Sequence, residues 1–365
     1  MPVYVCSESA LQHYRCALRP AIGDSFVQAA SLKGAVSLKK DVDLLSLAGL
    51  GLPSPSPDDP LHVLVPSPVN RGRSKSVLPT VWREPLPKSS FRKVQADAYV
   101  SSPEFLFLQM ARVLDLIPLV ELGMELCGTY RRESTDGQTT YDQPILTTPR
   151  RIARFLDEVG QAYGYRRARQ ALAYVVPNSA SPLETIVYLL LCLPRRLGGY
   201  AFPTPKLNAT IKLGKRGRQH TLRKSSVPDL YWKDAKIDLE CHGKMHELEE
   251  RRTEDSMRRK ALERMDVEVV ELTYDEVKDP KLFQATVKRL AKKLSLRLRS
   301  KNESHFTAHE EALRSQLFPG HIQAKQLWNE AGSTAGEFES WEGEERPSEF
   351  DSWEVYMADS DDPEL

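Results

Sequence analysis

The sequence predicts an α/β protein, and three observations support that prediction. At 365 residues the chain is long enough for two domains and a sizeable core. Several segments place a hydroxyl residue and a proline just ahead of an apolar run, which is typical of a helix start. Elsewhere, short runs alternate polar and apolar side chains with the period of a β-strand.

Composition divides the chain into five predicted segments. Prolines and aspartates crowd residues 53–60 and predict a loop there. A mixed α/β domain that ends in helices follows, and then a second α/β core. The predicted segments are a poorly defined N-terminal stretch 1–60, the mixed domain 61–178, the second core 179–300, a helical extension or linker 301–330 and a disordered acidic-aromatic tail 331–365.

Within these segments the patterns predict individual elements. A buried strand is expected at 61–65, further strands at 77–82 and 93–99, and helices after Ser102-Pro103, Thr148-Pro149 and Ser181-Pro182. The second core is predicted to run through helix 182–194, strand 208–213, strand 226–232, strand 236–242, helix 252–265 and strand 267–273. A basic amphipathic helix over 281–298 follows it.

The two central strands of the second core carry acidic residues. In the later strand, alternation places Asp238, Glu240 and His242 on one face and apolar residues on the other. A short turn predicts an antiparallel hairpin that sets Asp229 beside Glu240. Two carboxylates held together repel each other, and a divalent cation relieves that repulsion. Oxygen ligands of this kind suit Mg2+ or Mn2+.

Further motifs surround this hairpin. Ser-Pro-Leu-Glu opens a helix at 181–184, Glu-x-x-Gly-x-x-His spans 240–246, and Asp-x-x-Arg spans 255–258. In this order the motifs resemble the PD-(D/E)XK nuclease superfamily. More narrowly, they resemble endonuclease-like domains related to very-short-patch repair enzymes, which occur in bacterial abortive-infection proteins. The resemblance covers residues 179–275 and maps onto Glu184, Asp229, Glu240, Gly243, His246, Asp255 and Arg258.

The resemblance implies a restriction-endonuclease-like core and metal-dependent hydrolysis of DNA, with RNA as a further substrate. It implies that Asp229, Glu240 and Glu184 hold the metal ion and that His242 orients or deprotonates water. The lysine of the superfamily name is His242 here, where the related subfamily usually carries an acid. A second interpretation therefore stays open, in which the domain is a catalytically degenerate regulator that binds DNA or protein. A third is an antitoxin that acts through protein contacts alone.

Alternatives for single residues stay open as well. Glu184 either joins the metal shell or closes a capping box on the Ser181 N–H. Asp238 is expected to be a solvated neighbour of Glu240. His242 is a base, a metal ligand or a polar replacement in an inactive site. Zinc is disfavoured because alternation turns the neighbouring cysteine into the core.

Basic residues near the core predict a nucleic-acid surface, with DNA as the expected partner. Residues 1–330 carry a net charge of about +12 and the tail −11, although the whole chain is at +1. A solubility role is the competing explanation for the tail. The residues expected to contact phosphates are Lys212, Lys215, Arg216, Arg218, Arg223, Lys224, Lys244 and Arg258.

The tail repeats the pattern Glu-Phe-Glu-Ser-Trp-Glu of 337–342 at 349–354. Aromatic residues within acid predict a protein partner for it, or an autoinhibitory contact with the basic surface. No apolar run approaches the ~20 residues that span a bilayer, and the five cysteines lack a disulfide spacing. We therefore expect a cytoplasmic protein without membrane contact. A faint resemblance of residues 60–178 to AbiE-type antitoxin proteins implies a phage-defence or toxin–antitoxin setting.

Overall fold

The computed structural model describes residues 2–16, 26–27, 32, 51–52, 54–71, 74–95, 97–132, 138–212, 225–243, 260, 262–298 and 303–318. Three predicted features lie outside these residues. They are the acidic tail 331–365, the basic residues from 215 to 224 that are expected to contact phosphates, and most of the predicted helix 252–265.

Strands and helices alternate irregularly along the described chain, which confirms a mixed α/β protein. The strands are β1 (Val3–Val5), β2 (Phe26–Val27), β3 (Leu61–Val65), β4 (Val77–Val81), β5 (Phe91–Gln95), β6 (Ala98–Ser101), β7 (Arg131–Arg132), β8 (Thr139–Thr140), β9 (Lys206–Leu207), β10 (Ile211–Lys212), β11 (Ser225–Ser226), β12 (Leu230–Trp232), β13 (Ile237–His242) and β14 (Glu268–Thr273). The helices are α1 (Ser7–Arg15), α2 (Pro103–Met110), α3 (Leu116–Leu126), α4 (Pro149–Val159), α5 (Tyr165–Leu172), α6 (Pro182–Cys192), α7 (Tyr274–Lys278), α8 (Pro280–Lys293) and α9 (Glu303–Leu317).

The described residues group into two compact units. The first draws on 2–119 and 147–175, and the second on 120–146 and 176–318. Residues 120–146 therefore group with the second unit, although their position in the sequence suggested the domain 61–178. None of the described helices is long and apolar enough to cross a membrane.

A six-stranded mixed sheet forms the first unit, in the order β2-β5-β6-β1-β3-β4. β1 runs parallel to β6 and β3 runs parallel to β4. The predicted strand 93–99 is wrong in its extent, because β5 and β6 pair with each other across a register shift between Lys93 and Gln95. Phe91 of β5 and Phe105 of α2 are fully buried and pack edge to face, which joins this helix to the sheet.

A four-stranded sheet in the order β14-β13-β12-β9 forms the centre of the second unit. β12 and β13 make the predicted antiparallel hairpin, and β14 lies parallel to β13. The predicted strand 208–213 is wrong in its extent. Asn208 takes a left-handed φ of 48° directly after β9, and β10 pairs instead with β11 in a separate sheet.

Three helix starts are confirmed. The hydroxyls of Ser102, Thr148 and Ser181 each accept a hydrogen bond from the backbone N–H three residues on. A proline follows each cap, at a position where its missing N–H leaves no bond unmade. The predicted helix 281–298 is α8, which begins at an Asp279 cap and ends earlier than predicted, at Lys293.

Candidate active site

Glu184 lies in the first turn of α6 and is buried, with 5% of its surface exposed. Its Oε2 accepts hydrogen bonds from the Ala180 backbone N–H at 2.8 Å and from the Asn208 side-chain amide at 2.6 Å. The capping-box alternative therefore needs correction. The carboxylate bonds to Ala180, one residue before the expected partner Ser181.

Asp229 lies directly before β12, at the end of the sheet where β13 finishes. Its Oδ2 accepts a hydrogen bond from the Cys241 backbone N–H at 2.7 Å. Because Leu230 pairs with Leu239, the same register places residue 229 level with residue 240. The β13 backbone thus holds the Asp229 carboxylate, and the register places its residue level with residue 240.

Asn208 connects these two acidic positions, and sequence reasoning missed it. Its side-chain amide donates to Glu184 Oε2 and, at 2.8 Å, to the Asn178 carbonyl. Its backbone N–H donates to the Asp229 carbonyl at 3.1 Å. Both asparagines have positive φ angles, which asparagine adopts more readily than most residues. The one signal in the sequence was the asparagine itself, which often ends a strand with a positive φ. That pattern is common in turns, so it did not indicate a contact with Glu184.

The surroundings of Glu184 favour its protonated form. Burial raises the pKa of Glu184 to about 7 from 4.5, and the negative charge of Asp229 adds to this rise. Hydrogen bonds from Ala180, Asn208 and Ser181 act in the opposite direction. At neutral pH Glu184 is therefore divided between its protonated and charged forms.

Both faces of β13 are buried, which overturns the expectation that Asp238 is solvated. Asp238 has 0% of its surface exposed and Glu240 has 8%. The pairing register puts Tyr231 and Val269 on the face of Asp238. These two residues pack against a small cluster around Leu262. The segment that contains Leu262 covers this face, and the alternation of β13 alone carried no information about it.

The pKa of the Cys241 thiol is affected by the acidic residues around the end of β13. Burial raises the pKa of its thiol well above the ordinary value, and the charges of Asp229, Glu184, Glu240 and Asp238 add to the effect, in that order. Four carboxylates therefore act on one thiol, and this end of the strand is a concentrated negative region.

The positive charges expected near the acids are placed less favourably. His242 ends β13, half-buried, on the face of Asp238 and Glu240. Lys236 lies at the opposite end of β13, where its Nζ is 3.7 Å from Asp266. For Lys212 the backbone alone is described, as part of β10. The remaining predicted site residues lie outside the described residues: Lys215, Arg216, Arg218, Arg223, Lys224, Lys244, His246, Asp255 and Arg258.

The pair of Glu184 and Asp229 fits a hard cation in its chemistry. Both groups are oxygen donors, which hard cations prefer, and the two Glu184 hydrogen bonds from Ala180 and Asn208 fall on the same oxygen, Oε2. Mutual repulsion in a buried setting favours a positive charge between them. Across the described part of the chain, no three His, Cys, Asp or Glu side chains are gathered closely enough to hold a metal ion.

Comparisons with known proteins returned no match. A scan against protein-family models, a search of the curated proteins and a search of the solved structures each found nothing that matches this chain. Functional conclusions therefore rest on the chemistry of the site.

Proposed function

We propose that this chain is a Mg2+- or Mn2+-dependent nuclease that hydrolyses phosphodiester bonds in DNA, with RNA as a second substrate class. One observation carries the proposal. Glu184 on a helix and Asp229 at a strand start lie so close that the charge of Asp229 adds to the raised pKa of Glu184. Acid groups with strongly raised pKa values, produced by burial and a like charge, are concentrated at functional sites.

The order of elements supports the same proposal. α6, β9, β12, β13, the helical residues 260 and 262–263, and β14 occur in this order along the chain, with the separate pair β10–β11 between β9 and β12. β9, β12 and β13 are antiparallel neighbours, and β14 joins them in parallel to β13. A helix, three antiparallel strands, a helix and a parallel strand is the order expected for a restriction-endonuclease-like core.

Asp229 and Glu184 would hold the metal ion, and Glu240 of β13 would become a third oxygen donor once its side chain turns toward them. When bound, the metal would polarise the scissile phosphate and stabilise the charge that develops on it. Asn208 ties the helix that carries Glu184 to the strand that carries Asp229. His242, two residues after Glu240, would orient a water molecule or accept its proton.

The basic segment 212–224 adjoins this core in the sequence and would follow the phosphate backbone of the nucleic acid. Binding of this kind releases counterions, so it weakens steeply as salt is raised. A setting in phage defence or in a toxin–antitoxin pair, with a protein partner for the acidic tail, belongs to the same proposal.

Cleavage assays with matched variants test the proposal. The wild-type chain, Asp229→Asn, Glu184→Gln and Glu240→Gln are incubated with plasmid DNA and with RNA in Mn2+, Mg2+ or chelator. Glu271→Gln serves as the control, because Glu271 is an exposed acid paired with Glu240 on β14. We expect metal-dependent cleavage by wild type and Glu271→Gln and a loss of about 100-fold or more in the three site variants, in line with removal of a group that stabilises transition-state charge. Equal cleavage by all five proteins would assign the activity to a contaminant and contradict the proposal.

A second candidate is a catalytically degenerate regulator that binds nucleic acid through the same fold. It is favoured by one observation: Glu184 Oε2 already accepts two hydrogen bonds, from Ala180 and Asn208, as a structural acid would. This candidate predicts salt-sensitive DNA binding by all the variants and no heat stabilisation by Mn2+. The nuclease proposal predicts stabilisation by Mn2+ that the Asp229→Asn variant loses.

A further inference from the structure

A cavity of about 250 Å3 lies in the first unit, in a region that the proposed nuclease chemistry does not use. It forms beside the carboxyl ends of β3 and β4, which run parallel, and ligands of open α/β sheets commonly bind at that edge. The chain contributes to it from the turn after β3, from the end of β4 and from the turn after α2. Its lining residues are Pro68, Arg71, Val81, Arg83, Glu84 and Arg112.

Arg112 is the arginine of this cavity that contacts aromatic rings. Its guanidinium carbon lies 5.6 Å from the ring centre of Trp82 and 4.9 Å from that of Tyr163. Gly164, with φ +90°, leaves room for the Arg112 chain, since a β-carbon there would come within 2.9 Å of Arg112 Cγ. Ring contacts use the flat faces of a guanidinium and leave the N–H donors at its edge available.

No acceptor of the described chain occupies those donors. Among the described residues, the Arg112 guanidinium makes ring contacts but no hydrogen bond or ion pair. Burial lowers the pKa of Arg112, and the charge of Glu84 acts in the opposite direction. A partly buried guanidinium with five donors gains most from an acceptor that matches its planar edge, and phosphate oxygens do so in pairs.

The charges around the cavity favour the same ligand. Three arginines line it against one glutamate, so its wall is positive. Arg71 and Arg83 are exposed and can turn toward a ligand, whereas Arg112 is held by Trp82 and Tyr163. One arginine held by aromatic rings and two exposed ones around a small cavity suit a compact dianion rather than an extended polymer.

We propose that this cavity binds a phosphate group presented at the end of a molecule, as in a phosphomonoester. The guanidinium of Arg112 donates hydrogen bonds from its edge to two phosphate oxygens. Arg71 and Arg83 neutralise the remaining charge of the phosphate. The source of the group is either a small phosphorylated metabolite or the terminal phosphate of a nucleic-acid strand. The proposal stands without the nuclease, because none of the cavity's lining residues belongs to the proposed metal centre.

Calorimetric titration of the full chain at constant ionic strength tests this site. The probes are inorganic phosphate, a nucleoside monophosphate, and one oligonucleotide with either a 5′-phosphate or a 5′-hydroxyl. The variants are Arg112→Ala, Arg112→Lys, Arg83→Ala and Arg71→Ala. Arg166→Ala, which removes an exposed arginine of the same unit outside the cavity, is the matched control for the loss of one charge.

We expect saturable binding of phosphate that is weakened about tenfold by Arg112→Ala, the size of one charged hydrogen bond. Arg112→Lys keeps the charge but loses the fork, so it should fall between Arg112→Ala and wild type. Arg166→Ala should bind like wild type. Tighter binding of the 5′-phosphorylated oligonucleotide than of both the 5′-hydroxyl oligonucleotide and the nucleoside monophosphate identifies a strand end as the source of the phosphate group. Binding of the nucleoside monophosphate as tight as that of the 5′-phosphorylated oligonucleotide identifies a small molecule as the source.

Two results would overturn the proposal. One is the absence of saturable binding by any of the phosphorylated probes. The other is an equal loss in the cavity variants and in Arg166→Ala, which would show a diffuse effect of net charge. If Arg112→Ala does not fold, Arg83→Ala and Arg71→Ala decide the matter, because both positions are exposed, and unchanged phosphate binding in both contradicts the site.

Discussion

Glu121 and Glu184 are both buried carboxylates of the second unit, but their partners differ in charge. Glu121 accepts from Arg132 Nη2 at 2.7 Å, and the neighbouring Glu125 accepts from the Arg132 backbone N–H at 3.2 Å. Burial acts to lower the pKa of Arg132, yet Glu121 raises it above its ordinary value. Glu184 receives neutral donors instead and has another acid, Asp229, beside it.

This difference separates a structural acid from a candidate functional one. A carboxylate paired with an arginine has its charge compensated within the fold, so no proton or metal ion is needed to balance it. A carboxylate that faces another acid keeps an electrostatic cost, which a proton or a metal ion removes. The comparison therefore predicts opposite responses when each acid is disturbed.

The largest expected effect is a pH dependence of stability that Glu184 causes. Its pKa is about 7 in the folded chain against 4.5 as a reference, so the folded state binds the proton more tightly. Stability from this group is present below pH 4.5 and is lost as the pH rises to about 7, by up to roughly 3 kcal/mol. The free energy of unfolding of wild type relative to Glu184→Gln should fall across this window. A difference that stays constant with pH would contradict the raised pKa.

Breaking the compensated pair should destabilise the chain at every pH above the acidic range. Arg132→Met leaves Glu121 buried without its cation. We expect a loss of roughly 2 kcal/mol in urea unfolding, below the value for a fully buried pair because 32% of the Arg132 side chain is exposed. Arg169→Met is the control, since Arg169 pairs with the exposed Asp157 and its loss should cost under about 1 kcal/mol. Similar losses of unfolding free energy in Arg132→Met and Arg169→Met would contradict the distinction between the buried pair and the exposed one.

A smaller effect is expected from the link between the two acids. Asn208→Gly keeps the positive φ and removes the amide that donates to Glu184. We expect a loss of about 1 kcal/mol and a further rise in the pKa of Glu184, because this hydrogen bond favours the charged carboxylate. Carbon-detected NMR of the Glu184 carboxyl over a pH titration measures this pKa. A fall in that pKa would show that Asn208 does not hold the pair.

The smallest effect concerns thiol reactivity. Burial alone raises the pKa of Cys192, whereas nearby acids add to the rise at Cys241. Asp229→Asn should therefore speed alkylation of Cys241 a few-fold and leave Cys192 unchanged. Site-resolved mass spectrometry separates the two thiols. Equal acceleration at both would indicate general loosening of the fold instead.

Local patterns predicted elements in both units. The caps at Ser102, Thr148 and Ser181 and the β12–β13 hairpin depend on hydroxyls, prolines and alternation within a few residues of one another, so they can be recognised in the sequence. The register of the hairpin also placed residue 229 level with residue 240.

Features that depend on distant segments were not predictable in this way. Asp238 sits on a face that the segment around Leu262 covers, more than twenty residues later in the chain. Asn208 reaches Glu184 only because a left-handed turn ends β9 early. Arg112 meets Trp82 and Tyr163 from separate elements. Burial and side-chain contact arise from tertiary packing, which the period of a single strand or helix does not encode.

Manganese binding tests the central claim, that Glu184 and Asp229 together make a cation site, most directly. Titration of Mn2+ by electron paramagnetic resonance is compared for wild type, Asp229→Asn, Glu184→Gln and the Glu271→Gln control at pH values on either side of 7. Because the Glu184 carboxyl must lose its proton to act as a ligand, wild type and Glu271→Gln should bind Mn2+ more tightly as the pH rises through about 7. The two site variants should bind about tenfold more weakly or worse. Binding of equal strength in all four proteins, with no dependence on pH, would contradict the account.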